Sequence, residues 1–149
     1  MIEISKTFTI SCAHILPQHP GKCSRLHGHN YTIEVAVEGE VGGDGMVMDF
    51  DALNDLVKTL IVDRFDHKFI LPTGNAFVRR DSVYWYVNVP KQGEVRIPVN
   101  MCAPIVIKES TAELLTLEFH KILSAHAALT YLGLRVRVWE TEKCYAEIC

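Results

Sequence analysis

The 149-residue sequence predicts an α+β fold: an antiparallel four-stranded sheet with two helices on one face, in the order β-β-α-α-β-β, and a hairpin inserted between the helices. Three observations support this fold class. Apolar and polar residues alternate in two segments near the start of the chain and in two near its end, as in half-buried strands. Two segments between them carry apolar residues at helical spacing, and a pair of β-prone segments separates these two.

The first two predicted strands lie before residue 40. Ile4, Phe8 and Ile10 are apolar at even positions, although the alternation is imperfect in the middle of the segment. From residue 31 to residue 38 large apolar residues at odd positions alternate with Thr, Glu, Ala and Glu at even positions. Pro and Gly residues at 17–21 indicate a turn between the two strands.

Two helices are predicted, each from residues that can cap its first turn. Asp49 can accept hydrogen bonds from the free amides of a first turn, and apolar residues follow at helical spacing over residues 50–61. Ser110 and Glu113 fit the capping box, in which a hydroxyl and a carboxylate three positions later each accept a backbone N–H. The apolar face that follows predicts a helix to about Ala127.

The remaining predicted strands form two hairpins. Residues 132–138 alternate and residues 144–148 close the chain, with a turn near 142–143. Residues 83–89 and 94–99 are β-prone and flank a Pro-Lys-Gln-Gly turn, so we expect a hairpin inserted after the first helix.

Composition limits the class of protein. Apolar residues make up 48% of the chain and charged residues 22%, which is enough apolar material for a core and excludes general disorder. Fifteen Lys and Arg against eighteen Asp and Glu give a net charge of -3, so no overall positive charge attracts nucleic acid. We expect one domain over residues 1–149, with an insert over about 74–103, and no nucleic-acid partner.

Neither a secretory signal nor a membrane helix is evident in the sequence. The five cysteines are an odd number, and without a signal peptide they are expected to be free thiols in a reducing compartment. We therefore expect a cytoplasmic protein that has no membrane partner.

The densest group of chemically active residues lies just before the second strand. His27 and His29 are two positions apart, so on an extended backbone both imidazoles leave the same side. His14 ends the first strand, and pairing of the two strands places it opposite these residues. Three imidazoles with an open fourth position are the ligand set of a catalytic zinc ion. The alternative is a chance His-Gly-His in a surface loop, and His14 with the nearby Cys23 argues against it.

Cys23 has two possible roles in such a centre. It is either a fourth zinc ligand in a closed, structural site, or a thiolate beside an open, catalytic one. The sequence spacing does not decide between these roles.

Two acidic residues are further candidates. Asp66 either caps a turn in a polar loop or, if that loop lies over the metal site, orients His67 as a proton carrier. Glu140, at the end of a strand, is either a solvated residue or a carboxylate that binds adjacent N–H donors, which guanine and pterin rings present.

Six short motifs follow one another along the chain. They are S-C-A-H at 11–14, C-S-R-L-H-G-H-N-Y at 23–31, G-M-V-M-D-F at 45–50, F-D-H at 65–67, S-T-A-E at 110–113 and W-E-T at 139–141. With these motifs in this order, the sequence resembles the 6-pyruvoyl-tetrahydropterin synthase and 6-carboxytetrahydropterin synthase family of the tunnelling fold. The resemblance covers most of the chain apart from the insert.

The resemblance implies which residues bind metal and substrate. It implies that His14, His27 and His29 hold a catalytic zinc ion, Zn2+. It further implies that Glu140 anchors the pterin ring of a small-molecule substrate, with Thr111 beside it.

The resemblance also implies the reaction. Cys23 is expected as the proton-abstracting base, and Asp66 with His67 as a proton relay. Three residues separate Cys23 from His27, as in the bacterial and archaeal 6-carboxytetrahydropterin synthases of the queuosine pathway. The expected lyase reaction converts 7,8-dihydroneopterin triphosphate to 6-carboxy-5,6,7,8-tetrahydropterin and releases triphosphate and acetaldehyde.

A homo-oligomer is implied as well, in which trimers close a β-barrel and stack into hexamers, with the pterin held where subunits meet. Three alternatives stay open. They are a pyruvoyl-forming synthase, a pterin-binding protein without turnover, and a structural zinc protein in which Cys23 joins the three histidines as a ligand.

Overall fold

Nine strands and three helices follow one another in the computed structural model, which describes residues 1–149. The strands are β1 (Ile2–His14), β2 (His27–Gly39), β3 (Lys68–Pro72), β4 (Val78–Arg80), β5 (Tyr84–Val89), β6 (Gly93–Pro98), β7 (Cys102–Ile105), β8 (Gly133–Thr141) and β9 (Cys144–Ile148). The helices are α1 (Phe50–Val57), α2 (Asp63–Phe65) and α3 (Ala112–Ser124).

Six strands form one sheet, in the order β7-β3-β1-β2-β8-β9, and β4, β5 and β6 form a second sheet. As predicted, β1, β2, β8 and β9 are antiparallel neighbours. However, β3 runs parallel to β1, with which it pairs at Cys12 and Ala13, and β7 runs parallel to β3. The predicted antiparallel four-stranded sheet is therefore confirmed in part, because its four strands are present but the parallel strands β3 and β7 extend it to a mixed sheet of six.

The sequence pattern does not reveal β3 because both faces of this strand are buried. Ile70 packs into the main core, whereas Phe69 and Leu71 pack on the other side, against the second sheet. A strand covered on both faces is apolar throughout and shows no alternation. The short β7 contains Pro104, so it also lacks a recognisable strand pattern.

The main core lies between the six-stranded sheet and the helices. Fully buried β-branched residues of β2 and β8 point into it, among them Ile33, Val35 and Val136. The buried helix residues that cover them are Leu53, Leu56, Val57, Leu115, Phe119 and Leu123. Each such side chain contributes about 1.5–3 kcal/mol when it is removed from water. This burial determines which face of β1 and β2 points inward.

The first predicted helix begins where expected. The Asp49 carboxylate accepts hydrogen bonds from the N–H groups of Asp51 at 2.6 Å and Ala52 at 3.3 Å. The chain remains helical after α1, through a π-helical segment, Lys58–Val62, and then through α2 to Phe65.

The second predicted helix is shifted at both ends. Thr111, not Ser110, caps α3, and its hydroxyl accepts the Leu114 N–H at 3.4 Å. The predicted capping box is therefore wrong by one residue. α3 also ends at Ser124 rather than near Ala127. None of the helices is long and apolar enough to cross a membrane.

The predicted inserted hairpin is present as β5 and β6, and β4 extends it to three strands. Val87 and Val89 of β5 pack with Leu71 of β3 in a second, smaller core. The insert is thereby fixed to the outer side of the six-stranded sheet, opposite the helices. Its turn, residues 90–92, reaches the loop that follows β1 and contacts Ser24 there.

Candidate active site

Pairing of β1 with β2 brings three histidines together. His14 lies opposite His27, and His29 lies opposite Cys12, so all three imidazoles leave one face. Their ligand nitrogens lie within 4.8 Å of one another, and the Nε2 atoms of His14 and His27 are 3.0 Å apart. A Cβ at Gly28 would lie 2.6 Å from the Cys12 carbonyl oxygen, so only glycine allows this close pairing. The resulting cluster could hold a metal ion.

The His14 ring is held from behind by Ser110. His14 is 1% exposed, and its Nδ1–H donates to the Ser110 carbonyl at 2.9 Å, with the Ser110 hydroxyl at 3.1 Å. This contact leaves Nε2 free to bind a metal. Burial, with a smaller contribution from His27, lowers the pKa of His14 to about 4. The ring is therefore neutral at pH 7, which is the form that binds metals.

The other two histidines are oriented from different sides. His27 donates from Nδ1 to the Arg25 carbonyl at 2.7 Å, which again leaves Nε2 free. Nε2 of His29 lies 3.7 Å from a carboxylate oxygen of Glu140. Burial lowers the pKa of His29, and the nearby Glu140 acts in the opposite direction. The donor set of three imidazoles fits zinc with an open coordination position.

Cys23 lies outside this cluster. It is half-buried in a single 3-10 turn, Lys22–Ser24, and its carbonyl accepts the Leu16 N–H at 2.9 Å. The hydroxyl of Ser24 donates to the Gly21 carbonyl at 2.9 Å and holds the same turn. Because the histidines form their cluster without the thiol, the arrangement argues against a closed centre with four protein ligands.

A cavity of about 300 Å³ adjoins the histidine cluster at Glu140, and Cys23 is in its wall. None of the three clustered histidines lines it. The same cavity is lined by Thr111, Glu113 and Glu140. Three of the residues that the sequence singles out, Cys23, Thr111 and Glu140, are thus brought together. A cavity of this size with two carboxylates suits a small ring that carries N–H donors.

Glu140 sits on an irregularity of its strand. The pairing of β8 with β9 is regular up to Trp139, but the register shifts between Trp139 and Thr141. Such a bulge bends a strand and changes the direction of its side chains. Here the Glu140 side chain reaches both the cavity and His29.

The Asp66–His67 pair forms on the other edge of β1. One carboxylate oxygen of Asp66 is 3.0 Å from Nδ1 of His67, and the other accepts the Ser11 N–H at 2.8 Å. The hydrogen bond from Ser11, followed by that from His67, lowers the pKa of Asp66. His67 has a φ of 58°, which is uncommon outside glycine, and its side chain is 82% exposed. Neither residue lines the cavity that contains Cys23.

Sequence reasoning misses two residues of the site. The capping-box prediction assigns Ser110 and Glu113 to the helix start. Ser110 instead contacts His14, and Glu113 lies in the cavity wall. One signal could have found Glu113. Thr is also a preferred N-cap, and with Thr111 as the cap Glu113 is free to face the cavity.

Known proteins resemble this chain in both sequence and fold. Residues 3–149 match the family model described as 6-pyruvoyl tetrahydropterin synthase. The chain belongs to this family. A Pyrococcus abyssi member, provisionally assigned as a 6-carboxy-5,6,7,8-tetrahydropterin synthase, is 36% identical over 132 residues, which cover 88% of this chain and 78% of that protein. The 6-carboxy-5,6,7,8-tetrahydropterin synthase of Haemophilus influenzae is 43% identical over 79 residues, or 50% of this chain and 56% of that protein.

Solved structures of the family share the fold. A catalytic-residue mutant of Plasmodium vivax 6-pyruvoyltetrahydropterin synthase matches with a TM-score of 0.87 and 26% identity, covering 99% of this chain and 96% of that one. Plasmodium falciparum 6-pyruvoyl tetrahydropterin synthase matches with a TM-score of 0.86 at the same identity and coverage. The chain is thus an enzyme of the pterin synthase class, and the matches extend over nearly its whole length.

Replacement of one clustered histidine should abolish tight metal binding. In His27→Ala the zinc affinity is expected to fall by more than about 100-fold, because the loss of a ligand exceeds the effect of losing a group that only orients one. Zinc per chain is measured by mass spectrometry after zinc loading and gel filtration. The control is His120→Ala, a histidine on α3 outside the cluster, which should keep the wild-type content. Equal zinc in both variants would contradict a histidine metal centre.

Proposed function

We propose that this protein is a zinc-dependent lyase that converts 7,8-dihydroneopterin triphosphate and one water molecule to 6-carboxy-5,6,7,8-tetrahydropterin, acetaldehyde and triphosphate. The observation that carries the proposal is the three-imidazole cluster, which adjoins at Glu140 a cavity lined by two thiols and two carboxylates. The carboxy-forming reaction is favoured by the names of the curated relatives and by the three-residue spacing between Cys23 and His27.

The metal and the side chains have separate tasks in this proposal. His14, His27 and His29 would hold the zinc ion, whose positive charge would make the hydroxyls of the substrate side chain more acidic. Cys23 removes a proton from the substrate carbon that faces the turn Lys22–Ser24, since its thiol is in the cavity wall.

His67 is proposed to move a proton on the other side of the substrate. Asp66 holds Nδ1 of this imidazole, which leaves Nε2 as the atom that exchanges the proton. The pKa of Asp66 is lowered, so its charged carboxylate is available to hold the His67 ring in place through Nδ1.

We propose that the two halves of the site come from different subunits. β3 pairs with β1 only at Cys12 and Ala13, so residues 2–10 leave one edge of β1 free, and β9 is the outer strand on the opposite side of the sheet. If β9 of a second copy pairs antiparallel with this free edge, its first residue, Cys144, comes near the end of β1 that carries the Asp66–His67 pair. Cys144 lines the cavity, so this pairing supports a trimeric barrel with a shared site.

The shared site predicts complementation between two inactive variants. Cys23→Ala and His67→Ala should each be inactive alone, whereas oligomers co-assembled from equal amounts should recover about a quarter of the wild-type turnover, because a quarter of the sites then combine an intact Cys23 with an intact His67. Turnover is measured after mixed refolding or co-expression, and each variant treated alone is the control. No recovery in mixed oligomers of normal size would place the whole site in one chain.

The reaction itself is tested by its products. Zinc-loaded protein incubated with 7,8-dihydroneopterin triphosphate should yield 6-carboxytetrahydropterin and acetaldehyde by mass spectrometry. Cys23→Ala should keep its zinc and lose turnover, whereas Cys144→Ala, a matched thiol of the same cavity, should keep both. Appearance of 6-pyruvoyltetrahydropterin would assign the pyruvoyl-forming reaction instead. If the pterin binds but no product forms, the result would indicate a pterin-binding protein without turnover.

The two carboxylates of the cavity should differ in their effect on binding. Glu140→Gln is expected to weaken pterin affinity by about tenfold or more without loss of zinc, because a charge-assisted hydrogen bond to the ring is replaced by a neutral one. Glu113→Gln is the matched variant, since both side chains line the same cavity. Dissociation constants for neopterin are measured by fluorescence. If only Glu113→Gln weakens binding, the anchoring role belongs to Glu113.

A further inference from the structure

A second cavity lies beside the candidate active site. Its volume is about 500 Å³, and its walls are the loop after β1, residues 17–24, and the turn of the inserted hairpin, residues 90–92. The lining consists of polar side chains and prolines and includes no carboxylate. His19 lines both this cavity and the one that contains Cys23, so the two cavities adjoin.

The walls are joined by a specific contact. The side-chain amide of Gln92, in the hairpin turn, donates to the Ser24 hydroxyl at 2.7 Å. Ser24 is only 7% exposed, and its hydroxyl in turn donates to the Gly21 carbonyl. The insert is thereby held against the loop that carries Cys23, and the space between them has a defined shape.

The second cavity offers a hydrogen-bond donor from His19 and one positive charge from Lys91. Nδ1 of His19 accepts the Gly21 N–H at 2.9 Å, so in the neutral ring the proton is on Nε2, which can donate to a ligand. Lys91 adds an ammonium group from the hairpin turn. With no carboxylate in the lining, this combination favours an anion.

We propose that this second cavity, formed by the insert and the loop after β1, binds the triphosphate tail of the substrate. The inference rests on the proposed function, since that substrate carries a triphosphate on the side chain of its pterin ring. The ring then lies with Glu113 and Glu140 in the first cavity, and the tail passes His19 to reach Lys91. The insert consequently has a binding role, because its turn supplies the only ammonium group of the lining.

The test removes that charge without altering the backbone. Lys91 has a φ of 66°, an uncommon value for a residue with a Cβ. Because Gln also has a Cβ, Lys91→Gln leaves the backbone strain of the turn unchanged and removes only the charge. Lys121→Gln, on the exposed face of α3, is the matched control for loss of one positive charge. Zinc-loaded full-length proteins are titrated with sodium tripolyphosphate by calorimetry. Because the metal centre is the same in all of them, chelation contributes equally, and differences report on the replaced lysine.

Lys91→Gln should bind tripolyphosphate about fivefold more weakly than the wild type and the control, the upper range for one exposed charge pair. Its KM for 7,8-dihydroneopterin triphosphate should rise by a similar factor, while its affinity for neopterin, which lacks phosphates, stays unchanged. Lys91→Arg should restore both values. Tripolyphosphate affinity and KM equal to those of the control would overturn the subsite and leave the proposed function intact. Weaker tripolyphosphate binding in a protein that does not turn over the substrate would support an anion site and reject the proposed function.

Discussion

The register between β1 and β2 is the constraint on which the site depends. Side chains alternate along a strand, so a slip of one residue would turn His27 and His29 to the opposite face and separate them from His14. The helix-covered face prevents this slip, because the same register pairs Ile10 with Tyr31 and buries both. The free energy that holds the histidines together therefore comes mainly from the burial of apolar side chains next to them. The three ligands are thus close together before a metal ion binds.

How much follows from the sequence depends on whether a feature is local. The alternation in β2 and the helical spacing after Asp49 are local, and both predictions are confirmed. The histidine cluster needs only that β1 and β2 be neighbours. In contrast, both faces of β3 are buried because a second sheet packs on its outer side. Its sequence therefore shows no alternation from which the strand could be predicted. The Ser110 hydroxyl lies against His14, 96 residues away in the chain, and Thr111 caps α3 in its place. Likewise, no local sequence feature around residues 65–67 indicates that Asp66 and His67 lie outside the cavity that contains Cys23.

Charge is divided between the two neighbouring cavities. The first contains Glu113 and Glu140, and the second contains Lys91 with the donor nitrogen of His19. A ligand with N–H donors at one end and phosphates at the other meets a complementary wall at each end. The chain as a whole carries a net charge of -3, so this selectivity comes from local placement and not from the overall field.

In the assembly we propose, the free edge of β1 would link subunit pairing to the chemistry of the site. A long unpaired strand edge invites uncontrolled association, and proteins either cover such an edge or pair it. A loop that covered this edge would prevent association, but the exposed His67 would then have no cavity next to it. Pairing it with β9 of another copy, in the assembly we propose, continues the antiparallel order of the sheet. The same contact brings His67 to a cavity that already holds Cys23, so the interaction that protects the edge would also complete the site.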